Sequence, residues 1–368
     1  MTQTIVLTTG GSGGHIFPAQ SVAAELIKKG YHVVFITDTR GNAFQNLPEV
    51  TTYRLVAESV AGRSIFGKIV AAIKLWLGAG QAMKLLIQLK PVLVIGFGGY
   101  ASLPAVMSAQ MLRIPAILHE QNAILGRANR VAAKKVRMIA TSFPHVERVP
   151  KNIPTLHVGQ PVRMPLLEKQ NTPLPKTDSF NILIFGGSQG AHFFSEQFPK
   201  VFMKLPEDYR AKIELTQQVR PEDEELAKQS YEQAGFKSLT LAPFFNNMPD
   251  LLSQANLVIG RGGAGTLTEV MIVGRPSIIV PLPSAADNHQ LANAKELEAV
   301  GGALVVEQKD FDADKLAEKI KSLMDDAPLL QQMAEKAHSL AIVNAAERMA
   351  DLVDDVVKGV SNESKTTL

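Results

Sequence analysis

Short apolar runs recur along the chain, and several end in glycine. TIVLTT begins at Thr4, HVVFIT at His32, VLVIGFG at Val92, AILHE at Ala116, NILIFGGSQG at Asn181, LVIG at Leu257 and PSIIVP at Pro276. Their length and β-branched content read as strands. Between the first two, Ala19, Val22, Ala23, Leu26 and Ile27 recur at helical spacing, and Gly30 closes that helix. Strand, glycine loop, helix and strand make a βαβ unit, which implies a parallel sheet. The same order returns at residue 181, where AHFFSEQFPKVFMKL continues the glycine loop as a helix. Pro154, Pro161, Pro165, Pro173 and Pro175 lie between the two units, and a stretch so rich in proline suits a linker. The pattern predicts two doubly wound α/β domains, residues 1–160 and 161–344, hinged near residues 160–178. A last amphipathic helix is predicted over about 345–358, with Ala346, Met349, Ala350, Val353 and Val357 on one face. The polar residues after it, 359–368, are expected to be a disordered tail.

Composition narrows the classes. With 368 residues the chain is long enough for two cores. Charged residues are 20% of it, below the ~25% usual in soluble domains, which hints at an apolar surface. The net charge is +3, with no Lys/Arg run of the kind that follows a phosphate backbone, so nucleic acid is not an expected partner. A small basic excess fits anionic small molecules or an anionic membrane surface. The chain has no cysteine, which removes disulfides, thiolate catalysis and Cys-ligated metals. No His-Glu-x-x-His or paired histidines offer metal spacing. No signal peptide is recognisable, and no uncharged apolar stretch reaches the ~20 residues that span a bilayer, so a cytoplasmic protein is expected.

Four glycine loops follow apolar strands: GGSGGH (Gly10 to His15), GFGGY (Gly96 to Tyr100), GGSQG (Gly186 to Gly190) and GRGGAGTLTE (Gly260 to Glu269). Glycine lets the backbone turn sharply and approach a ligand closely. A helix that starts there points unpaired N–H groups at an anion, which suits a diphosphate. Any one such loop reads equally as a tight strand-to-helix turn. Four of them at the C-terminal ends of strands point to ligand binding, because open α/β sheets bind at that edge. A dinucleotide fingerprint is incomplete: Gly11 and Gly13 match, Ile16 replaces the third glycine, and Asp38 would be the ribose acid. A P-loop is excluded, since no G-x-x-x-x-G-K-[ST] occurs.

His15 ends the first loop, where a group that exchanges protons near neutral pH can serve as a general base. His119-Glu120-Gln121-Asn122 is a polar cluster directly after a strand and reads as a site lining. Arg163, in the linker, could clamp a phosphate. Glu269 could accept two hydrogen bonds from a ribose diol. Asp312-x-Asp314 resembles a metal signature but precedes an obvious helix, so an N-cap is the better reading. Ile65 to Gly80 is apolar nearly all round, yet carries Lys68, Lys74 and the only tryptophan, Trp76. It reads either as a membrane-surface helix or as a helix buried on the sheet.

Taken together, TTGGSGGHIFPA, IGFGGYASLPA, HEQNAILG, VGQPVR, FGGSQGAHFF and GRGGAGTLTE resemble the MurG family of peptidoglycan N-acetylglucosaminyltransferases, which convert lipid I to lipid II. The likeness runs from about Thr4 to Val357, with the segments in the family's order. It implies the glycosyltransferase type B fold, two Rossmann-like domains facing a cleft. The C-terminal domain would hold UDP-N-acetylglucosamine and the N-terminal domain the lipid-linked acceptor, with the final helix returning to the latter. Carried over by motif, Ser188 and Arg163 would meet the diphosphate, Gly262, Gly263, Ala264, Gly265, Thr266 and Leu267 would form the loop and helix start beneath it, and Glu269 would bind ribose. Phe245 stands where the family usually has isoleucine, whose backbone reads uracil. Ser12, Gly13, Gly14, Asn122 and Gln290 would touch the sugar, and Gly98, Gly99, Tyr100, His119 and Glu120 would lie on the acceptor side.

The implied reaction inverts the anomeric carbon, needs no cofactor or metal, and takes His15 as first candidate for the base. The acceptor's polyprenyl chain stays in the bilayer, so the resemblance implies a peripheral protein on the cytoplasmic face of the inner membrane. Ile65, Phe66, Lys68, Lys74, Trp76 and Leu77 would form its docking patch on anionic phospholipid. Other cell-wall synthesis and division proteins are expected as partners. The competing readings are another glycolipid-forming transferase of the same fold, an NAD-dependent oxidoreductase and a non-catalytic nucleotide-sugar-binding scaffold.

Overall fold

The computed structural model describes residues 2–10, 13–38, 50–56, 65–187 and 191–366, with the backbone alone for 65–72 and 360–366. Contacts divide it into two compact units, Met1–Arg163 with Asn344–Leu368, and Met164–Val343.

In the first unit, β1 (Thr4–Thr8), β2 (His32–Thr37), β3 (Thr51–Arg54), β4 (Leu93–Gly96), β5 (Ala116–Glu120), β6 (Met138–Thr141) and β7 (Thr155–His157) form one sheet in the order β3-β2-β1-β4-β5-β6-β7. Every pairing is parallel. In the second, β8 (Phe180–Phe185), β9 (Ile213–Gln218), β10 (Ser238–Ala242), β11 (Leu257–Gly260), β12 (Ser277–Ile279) and β13 (Ala303–Val305) run in the order β10-β9-β8-β11-β12-β13, again all parallel. The central strands are buried from end to end, because helices cover both faces of a parallel sheet. That is why their sequences are unbroken apolar runs. In each unit the strand order reverses at one place, between β1 and β4 and between β8 and β11. All four glycine loops follow those strands.

The proline-rich stretch is not a free linker. Gly159 donates from its N–H to Thr141 O, and the Ser21 hydroxyl donates to Val162 O, which ties 159–162 to the first unit. From Met164 onward the chain is packed on the second unit. Arg275 is fully buried there, and its guanidinium donates to the carbonyls of Thr172, Pro173, Leu252, Ser253 and Gly274. The boundary between the two units falls at 163/164, inside the stretch 160–178 expected as a hinge.

The last helix, Ala345–Thr366, buries Met349, Ala350, Val353 and Val357 in the core of the first unit. Lys29 pairs with Asp351 and Asp354 on its edge, and the Tyr31 hydroxyl donates to Asp354. The helix continues to Thr366, through residues expected to be a disordered tail.

Candidate active site

At the reversal in the first unit, the loops after β1 and β4 lock together. The Gly10 N–H donates to Gly98 O at 3.1 Å. A methyl group on Gly99 would stand 2.9 Å from Gly10 Cα, and one on Gly10 3.2 Å from Gly99 Cα, so Gly99 excludes a side chain and Gly10 is tight for one. Gly98 and Gly99 also hold φ values of +84° and +76°. The helix Gly13–Lys28 starts at this point, and the His15 ring lies against the Gly98–Gly99 backbone. Tyr100 is half-buried beside it. Gly13 and Gly14 sit in the first helical turn, whose N–H groups precede any i−4 acceptor. Ser12 lies outside the described residues.

The polar cluster after β5 is interior. His119 is 0% exposed and Glu120 1%, so neither lines an acceptor pocket as expected. The Glu120 carboxylate is a clamp for its own loop. One oxygen accepts from Asn122 N–H and Nδ2, the other from Gly126 N–H and Asn129 Nδ2, at 2.8 to 3.1 Å. Four donors on two oxygens satisfy a buried carboxylate and hold Asn122 in place. His119 donates from Nε2 to Gly159 O at 3.2 Å. Burial lowers its pKa to about 4, so the ring is neutral at physiological pH and its Nδ1 accepts from Gln121 Nε2 at 3.2 Å. Arg163 is exposed, with its guanidinium 4.3 Å from the centre of the Phe17 ring.

At the reversal in the second unit, the helix Ala264–Val273 begins directly after β11 and Gly263. Its N-cap offers no side-chain acceptor and its first turn carries no acidic residue. The N–H groups of Ala264, Gly265 and Thr266 precede the first intrahelical bond, from Leu267 N–H to Gly263 O. Exposed amides at a helix N-terminus suit an anion. Gly262 is glycine because a Cβ there would overlap the carbonyl oxygen of Gln290, where the helix His289–Val300 crosses. The Gln290 amide oxygen accepts from Leu282 N–H, which leaves its amide N–H groups as donors. Glu269 and Phe245 are half-buried. Ser188 lies outside the described residues, and the Gly186 N–H of the same loop is taken by Gln218.

Sequence reasoning missed Arg261 and Asn293. Arg261 is 6% exposed, stacks over Phe193 and Phe194, and donates to Val280 O. Burial lowers its pKa to about 10, which leaves it charged. Asn293, wholly buried, donates to Gly262 O at 3.0 Å. Both brace the glycine segment from behind. An arginine inside a glycine run was the legible signal. Nothing local marks Asn293. Asp312 is an N-cap, accepting from the N–H groups of Asp314 and Lys315. Among the described residues no His/Cys/Asp/Glu group is placed to hold a metal ion.

On the helix Ile65–Leu89, Ile73, Trp76 and Leu77 are exposed, Trp76 at 77%. Lys74 is half-buried, and the side chains of Ile65, Phe66 and Lys68 lie outside the described residues. The buried-helix reading does not hold for the described part of this face. No described helix is long and apolar enough to cross a membrane.

Two Rossmann-like units, each with glycine loops at its strand-order reversal, form the glycosyltransferase type B fold. The Glycosyltransferase family 28 N-terminal domain matches residues 5–141 and the family's C-terminal domain residues 181–355. The UDP-N-acetylglucosamine–N-acetylmuramyl-(pentapeptide) pyrophosphoryl-undecaprenol N-acetylglucosamine transferase of Rhodospirillum centenum is 44% identical over 95% of this chain and 93% of its own. The protein of that name from Brucella suis is 42% identical over 96% and 94%. The crystal structure of Acinetobacter baumannii MurG superposes with a TM-score of 0.79 at 29% identity, covering 96% of this chain and 99% of that one. The chain belongs to this MurG family within glycosyltransferase family 28. A UDP-GlcNAc 2-epimerase from Neisseria meningitidis, at 15% identity and TM-score 0.69 over 96% of this chain and 100% of its own, shares the fold alone.

Proposed function

We propose that this enzyme moves N-acetylglucosamine from UDP-N-acetylglucosamine to the 4-hydroxyl of undecaprenyl-diphosphate-linked N-acetylmuramoyl-pentapeptide, with inversion, to form lipid II. The near-full-length identity to relatives named for this reaction carries the reading. The acceptor oxygen bonds to the anomeric carbon as the bond from that carbon to UDP breaks. His15 takes the hydroxyl proton, and the electron pair leaves with the diphosphate. The first-turn amides of the helix Ala264–Val273, with Ser188 and Arg163, hold the charge that builds there. One oriented donor can contribute about 3 kcal/mol. Glu269 holds the ribose, Phe245 the uracil edge, and Asn122 and Gln290 the sugar.

The enzyme works peripherally on the cytoplasmic face of the inner membrane, where Ile73, Trp76 and Leu77 enter the headgroup region of anionic phospholipid. Labelled UDP-N-acetylglucosamine with lipid-linked muramyl pentapeptide tests the reaction. Transfer is expected, and hydrolysis without transfer would refute it. Trp76→Ser with Leu77→Ser should weaken binding to phosphatidylglycerol vesicles and spare turnover of a soluble acceptor. Unchanged vesicle binding would refute the patch.

A further inference from the structure

We propose that Gln121 is a positioning residue for His15, accepting the His15 Nδ1 proton on its amide oxygen and so leaving Nε2 to take the proton of the acceptor hydroxyl. This rests on the reading of His15 as the base.

Three observations set the geometry. First, the Gln121 amide can face only one way. Its Nε2 donates to Phe97 O at 2.7 Å, and a carbonyl cannot donate back. The second amide hydrogen goes to His119 Nδ1. His119 cannot reverse that bond, because its only ring proton is held on Nε2 by Gly159 O. Second, the amide oxygen that results is buried, in a side chain 3% exposed, and has no hydrogen-bond partner. A buried carbonyl oxygen in that state costs about 1–3 kcal/mol, so it has been kept for a reason. Third, that oxygen and His15 Nδ1 face one point beside Gly98. A Cβ on Gly98 would lie 3.5 Å from the oxygen and 3.4 Å from Nδ1. Both atoms therefore border the same small space beside Gly98.

His15 Nδ1 is also shielded from solvent, and the proposal assigns contact with the substrate to Nε2. The positive charge that forms on His15 would then be stabilised through Nδ1–H by a fixed dipole. The order of donation runs from His15 to Gln121, from Gln121 to His119, and from His119 to Gly159. The neutral, buried His119 is the element that keeps the amide from turning over.

A double-mutant cycle tests this with transfer from UDP-N-acetylglucosamine to the lipid-linked acceptor. Gln121→Met roughly keeps the shape and removes the amide, both its oxygen and the N–H groups that serve Phe97 O and His119 Nδ1. It should lower kcat 10- to 100-fold with the KM for UDP-N-acetylglucosamine within twofold, and it should cost nothing further in a His15→Ala background. Losses that multiply would mean a general structural role and would overturn the proposal, as would an unchanged kcat for Gln121→Met beside a lowered one for His15→Ala. If His15→Ala itself leaves kcat unchanged, the base assignment falls and Gln121 with it, a result distinct from the other two. Should Gln121→Met not fold, the ring 15N shifts of His15 in the unaltered enzyme decide: a proton on Nδ1 with Nε2 bare is expected, and the opposite tautomer would overturn the proposal.

Discussion

The two strand-order reversals use the same device for different ends. In the first unit the loops close on each other. Gly10 and Gly99 touch backbone to backbone, and behind them lie His119, Glu120 and Gln121, all buried. In the second unit the loop stays open. A methyl group on Gly263 would meet nothing nearer than Thr266 Oγ1 at 3.9 Å, and the helix behind it presents bare amides. In the proposed reaction, the closed, polar-lined reversal fixes the side chain that takes the proton. The open one leaves backbone dipoles for an anion.

The sharpest test of the closed reversal is Glu120→Gln. Whichever oxygen it replaces, it sets an amide NH2 against two of the four donors and should cost about 2–4 kcal/mol in urea unfolding, because that half of a buried partner set is left unmatched. A loss under 1 kcal/mol would mean that the clamp does not organise the loop. Acid should strain the same place. His119 is held at about 4 against an ordinary 6.5, so between those values the unfolded chain binds a proton that the fold refuses. The stability held above pH 6.5 should fall by about 3 kcal/mol as pH drops through that window. His157, lowered by partial burial, adds in the same direction. His119→Gln should flatten most of the fall between pH 6.5 and 4, and an unchanged slope would assign it elsewhere.

In the open reversal, Gly262→Ala should destabilise by about 1–3 kcal/mol through its overlap with Gln290, and weaken UDP binding measured by calorimetry. Gly263→Ala meets open space, so the melting temperature should change little while UDP affinity drops. If both glycine variants leave UDP affinity intact, the diphosphate does not sit on this helix.

Much of this was legible before any coordinates. Unbroken apolar runs ending in glycine specify buried parallel strands, because both faces of such a sheet are covered. Those runs marked both units, and the motif segments marked the family. Local pattern also identified Asp312 as a cap, since an N-cap depends only on its own next residues. Other features were not legible, for a common reason. Whether His119 and Glu120 line a pocket or brace it from within depends on which residues lie across the sheet. Gly159, Phe97 and Asn129 come from other strands and loops. The same holds for the prolines at 173 and 175, whose carbonyls accept from Arg275 and Asn256, some eighty to a hundred residues away. The sequence by itself determined which elements form and where glycine must stand, because those follow from backbone sterics and local hydrophobicity. Only the tertiary structure decided which polar groups are exposed to a ligand and which are used up inside, because a hydrogen bond's other half can lie anywhere in the chain.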